Sequence, residues 1–144
     1  MDQDAMVNVN LPGGWRLIER LIARGFPIEA AFWAKIDENE RWNFYIASPV
    51  VDQRGFQVAV GHVLDAMRED PEWGIDINTV SVLSAADPLS KAAAEAVAPS
   101  AVIGASAFRT VRRMTRILDC SFGRHYVQAA FIYPPWEPGL NPLN

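Results

Sequence analysis

Apolar positions recur every three or four residues from Trp15 to Arg24, at Trp15, Ile18, Leu21 and Ile22. That spacing predicts an amphipathic helix, with Gly25 as its C-terminal stop and Pro27 preventing continuation. Two aromatic and β-favouring runs follow, Glu29–Ile36 and Arg41–Ser48, separated by the polar Asp37-Glu38-Asn39-Glu40. They predict a β-hairpin. Pairing Ile36 with Arg41 sets Trp33 opposite Phe44 and Ala31 opposite Ile46. Neither face of this hairpin is cleanly polar, whereas a sheet with one solvated face alternates apolar and polar residues. Either both faces are covered or one is a docking surface.

A second helix is expected from Arg54 to Asp70, with Asp52 as N-cap and an apolar stripe of Phe56, Val60, Val63, Leu64 and Met67. Asp76–Ser84 reads as a strand. Asp87-Pro88 opens an alanine-rich helix running to Ala98. Residues 101–114 fit no single element, because Gly104 and its small neighbours interrupt a helical spacing. Tyr126–Tyr133 reads as a strand, with Thr115–Cys120 as its hairpin partner. Residues 1–12 read as a loose arm, 13–133 as one domain, and 134–144, with four prolines, as an extended tail. The sum is a single α+β domain, a mostly antiparallel sheet of about four or five strands packed by about two or three helices.

Several of these segments are similar, taken together, to a group of small bacterial α+β proteins that carry no assigned activity. The resemblance rests on Glu19-Arg20-Leu21-Ile22, Gly25-Phe26, Ala30-Ala31-Phe32-Trp33, Trp42, the run Tyr45 to Asp52 and Ile132-Tyr133-Pro134-Pro135. It implies a compact domain and a bacterial source, and it implies no substrate and no catalytic residue.

Composition narrows the classes. The 144 residues are 50% apolar and 21% charged, an ordinary globular mix. One cysteine excludes a disulfide scaffold and a Cys-based zinc site. No apolar run approaches the roughly 20 residues of a bilayer span, and the acidic N-terminus is unlike a secretory signal. A cytoplasmic protein is expected, with no membrane partner and no cofactor.

Charge is uneven along the chain. From Arg109 to His125, the five arginines Arg109, Arg112, Arg113, Arg116 and Arg124 meet only Asp119, whereas elsewhere eight basic residues face sixteen acidic ones. Such a segment is a candidate site for nucleic acid or another polyanion, or else a solvated face. It stays together only if it is helical; a strand at Thr115–Cys120 would divide it. Arg16, Arg20 and Arg24 form a second basic row on the first helix.

The hairpin supplies the other candidate. Trp33, Trp42 and Tyr45, with Arg41 beside them, are the residue types that dominate protein-binding hot spots, and they exceed what one small sheet face needs. Aromatic residues also fill cores. Catalytic signals are weak. Gly104-Ala105-Ser106-Ala107-Phe108 lacks the second glycine of a nucleophile elbow, Cys120 with His125 and His62 with Asp65 are isolated pairs, and no metal-ligand spacing occurs. The leading expectation is a non-catalytic interaction module, an adaptor or small subunit that binds another protein or its own copy through Trp42 and Tyr45. The alternative is polyanion binding through the basic segment.

Overall fold

The computed structural model describes residues 9–36, 41–69, 75–97, 113–122 and 124–143. Helix α1 spans Leu11–Ala23. It starts inside the segment expected as an arm, because Asn10 caps it by accepting the Gly13 N–H at 2.9 Å and Pro12 is pre-set for a first turn. It ends as expected. Gly25 takes φ +82°, the Phe26 N–H bonds to the Leu21 carbonyl and the Gly25 N–H to that of Ile22. This is the Schellman pattern, in which a left-handed residue satisfies the last carbonyls.

Strands β1 (Ala30–Ile36) and β2 (Asn43–Ser48) form the expected antiparallel pair, with Trp33 opposite Phe44 and Ala31 opposite Ile46. The expected second helix is two helices, α2 (Val50–Arg54) and α3 (Phe56–Glu69). Gly55 separates them at φ 98° and ψ 157°, a conformation open only to glycine. Asp52 is no N-cap. It lies within α2, where its carboxylate accepts the Ser84 hydroxyl and the Ala85 N–H and ties α2 to the end of the next strand.

That strand, β3 (Val80–Ser84), is shorter than expected because Ile77–Thr79 forms a 3₁₀ turn capped by Asp76. It pairs in parallel with β2, and α2 and α3 supply the crossover that parallel neighbours require. Helix α4 (Pro88–Ala96) opens at the expected Asp87 cap, whose side chain accepts the Leu89 N–H. Strands β4 (Thr115–Phe122) and β5 (His125–Ile132) are the expected C-terminal hairpin. The sheet order is β3-β2-β1-β5-β4, so this is one α+β domain with a five-stranded, mostly antiparallel sheet. Four helices are seen among the described residues, three of them nine residues or longer.

The sheet is covered on both faces. Ala31, Trp33, Phe44 and Ile46 pack with Leu17, Leu21 and Val63 from α1 and α3. Ala30, Phe32, Ala34 and Ile132 pack with Leu89, Ala93 and Val97 around α4. Two-sided burial explains why the hairpin lacks a polar face. The β1–β5 pairing shifts between Lys35 and Ile36. Val127 therefore joins the second core, while Ala129 and Phe131 lie against the first. The C-terminal segment is extended but folds back: Pro134 and Pro142 are buried, and Trp136 and Leu140 pack on the first core.

Candidate functional site

The hairpin aromatics are mostly core. Trp33 is buried, stacks on Phe44 at 4.9 Å between ring centroids, and donates its indole N–H to Tyr133 at 3.0 Å. Trp42 is only 4% exposed and packs against Phe131 at 5.5 Å, with the Lys35 ammonium 5.9 Å above its ring. Trp42 is not the surface anchor expected from the sequence, nor is Trp33 an exposed binding residue, because their side of the hairpin turns toward the first core. Arg41 is exposed, and Tyr45 is half-buried on the opposite face, stacked on Phe32 at 5.1 Å. Of the expected protein-binding residues, Tyr45 lines a cavity.

The basic segment is divided as a strand requires. Arg109 and Arg112 lie outside the described residues, as does Ser106. Arg113, Arg116 and Arg124 are exposed. Arg116 stands on β4 with its guanidinium 5.8 Å from the Phe131 ring centroid. Arg124 lies between β4 and β5, at the far end of β4, about 20–25 Å away at the usual strand rise. The row on α1 is partly engaged: Arg20 lies 3.5 Å from Glu69 of α3, and Arg24 pairs with the same carboxylate. Cys120 packs on the second core, and His62 lies on the Phe26 ring at 5.6 Å.

The stripe on α3 leads to a site that sequence reasoning missed. Ala59, Val63 and Ala66 are the residues of α3 buried on the sheet. Two of them are alanines, which let the helix lie close. The next ridge lies toward β3: Val60 and Met67 are half-buried against the first core, Leu64 is half-buried, and Phe56 is exposed. With Tyr45, Ile77, Val80, Ser81 and Leu83 this ridge lines a cavity of about 410 Å³. Phe56 and Ile77 are 56% and 49% exposed. Among the described residues no lining side chain carries a charge, and the polar side-chain groups are the hydroxyls of Tyr45 and Ser81. The groove follows an edge of the sheet, since β3 has β2 on one side and no strand on the other among the described residues. The sequence did carry a signal: the α3 stripe is wider than the row a helix needs to rest on a sheet.

A cavity of this size lies within the roughly 300–1,000 Å³ range of small-ligand sites. A second cavity, about 40 Å³ beneath Trp136, has room for little more than a water molecule. Among the described residues no three His, Cys, Asp or Glu side chains converge to hold a metal ion, and no helix is long and apolar enough to cross a membrane. No family model, curated protein or solved structure matches the chain. The functional reading therefore rests on the geometry of the site.

Proposed function

We propose that this chain is a protein-interaction module, an adaptor or small subunit, whose docking surface is the groove between α3 and β3. One observation carries the reading: an uncharged apolar cavity of about 410 Å³ runs beside a sheet edge. An edge strand presents unpaired backbone N–H and C=O groups. An extended segment laid on β3 satisfies them, and its alternate side chains drop beneath the α3 ridge. This is strand addition, in which the main chain supplies affinity and the pocket supplies selectivity. In this reading Tyr45 forms part of the groove wall, while Trp33 and Trp42 lie in the core and are not binding residues. A polyanion surface on the basic segment has less behind it, because Arg116 and Arg124 stand at opposite ends of β4.

The test is selection of binding peptides from a random displayed library on the full chain. The expected ligands have apolar residues at alternate positions and lose binding on Phe56→Glu or Ile77→Glu, both at exposed positions that leave the core alone. Ligands indifferent to both substitutions, or no ligands for the chain in monomeric form, would overturn the reading.

A further inference from the structure

We infer that the extended segment the groove receives is β3 of a second copy of this chain, the two β3 strands pairing antiparallel about a two-fold axis near Val82. The inference rests on the docking reading above and names its partner.

Asp52 of α2 is hydrogen-bonded to Ser84 and Ala85, so α2 and the start of α3 lie at the Ser84 end of β3. α3 then returns along the strand, about 21 Å for its fourteen residues, and brings Met67 to the Val80 end. Phe56 and Ile77, the two exposed apolar side chains of the groove, therefore stand at opposite ends of the same edge. An exposed charge also stands beside each of these two apolar residues, with Arg68 exposed in the last turn of α3. Arg54 is exposed beside Phe56, and Asp76 is exposed beside Ile77.

A two-fold axis perpendicular to the sheet exchanges the two ends. It sets Phe56 of each copy on the second copy's Ile77, and Arg54 of each on the second copy's Asp76. Both matches occur twice, as an isologous interface demands. The ridge Phe56, Val60, Leu64 and Met67, spaced at four, four and three residues, lies antiparallel against itself above the strand pair. The edge of one five-stranded sheet is closed by the other, giving a continuous ten-stranded sheet with both α3 helices on one face. The apolar match alone would suit many partners. The opposed charges at the two ends are what select a second copy, because no other partner need reproduce them in reverse order.

Sedimentation of the full chain across the micromolar range tests this. A dimer is expected. Phe56→Glu and Ile77→Glu should each raise its dissociation constant roughly a hundredfold, since each removes two apolar contacts and buries two charges. Arg54→Ala should raise it about fivefold through two exposed ion pairs, and should have no further effect on an Asp76→Asn background, where the amide keeps the turn cap without the charge. Circular dichroism checks that each variant is folded, and any that is not is replaced by Phe56→Ser or Ile77→Ser, for which the same loss is expected. A wild-type monomer, or a dimer indifferent to the groove substitutions, overturns the inference. If the monomer nevertheless binds selected apolar peptides through Phe56, the docking reading stands and only its named partner fails.

Discussion

The indole Nε1 of Trp33 donates to the hydroxyl of Tyr133 at 3.0 Å, and that hydroxyl donates in turn to the carbonyl of Leu11 at 2.7 Å. One phenol thus joins β1, the residue just past β5, and the first turn of α1. Tyr133 also stacks on Trp15 at 5.9 Å and meets Phe44 edge-on at 5.7 Å. Tyr133→Phe leaves the rings in place and orphans a buried indole N–H. It should destabilise the fold by about 1–3 kcal/mol, read as a lower urea midpoint with an unchanged slope.

Burial holds the Tyr133 hydroxyl well above its ordinary tyrosine pKa, and the hydrogen bond from Trp33 pulls it back only in part. A folded-state pKa raised in this way favours the neutral phenol. Its contribution to stability is complete below the unfolded value, near pH 10, and is lost as pH rises from there toward the folded value. Urea titrations above pH 10 should show stability falling by about 1.4 kcal/mol per pH unit from this one group, and Tyr133→Phe should remove that component of the slope.

Gly14 lies under the same phenol. A Cβ added there would sit 2.1 Å from the Tyr133 oxygen and 2.9 Å from its ring carbon. Glycine to alanine inside a helix ordinarily stabilises by about 1 kcal/mol. Here the clash wins, and Gly14→Ala should cost about 1–3 kcal/mol as overpacking does. Thermal melts of the two proteins would show the sign directly.

Trp42 and Phe56 should part company in a paired experiment. Trp42→Ala empties a packed site and should cost about 3–5 kcal/mol. Phe56→Ser, at a side chain 56% exposed, should change the stability of the isolated fold by less than about 1 kcal/mol while removing peptide binding. Denaturant midpoints beside binding isotherms separate the core aromatic from the surface one.

At Gly55 a Cβ would meet nothing within 4 Å, so sterics with neighbours do not forbid a side chain. Its φ of 98° does. Gly55→Ala should cost about 1–3 kcal/mol in backbone strain and disturb the junction that sets Arg54 and Phe56 at one end of the groove. Differential scanning calorimetry would register the loss, and Gly61→Ala in the interior of α3, where φ is ordinary, serves as the contrast.

Local chemistry made much of the fold legible. The Gly25 stop, the Asp87-Pro88 start, the β1–β2 register and the C-terminal hairpin each depend on residues close in sequence, through caps, turns and side-chain alternation. Those interactions are short-ranged, and a linear pattern records them. Positions decided by distant partners were not legible. Gly14 has no room for a side chain because Tyr133 covers it, and Asp52 serves the end of β3 instead of capping a helix. The aromatic residues of the hairpin were visible as a group, but a tryptophan reads alike whether it faces a helix or a partner. Only the packing of α1 and α3 on that face turned Trp33 and Trp42 inward. Likewise the stripe on α3 declared an apolar helix face, and not how much of it the sheet would cover. Sequence by itself determined which segments become helices and strands and which of their faces are apolar. The tertiary structure decided which apolar residues were left over, because burial is settled by what packs opposite each face, and beside β3 nothing among the described residues does.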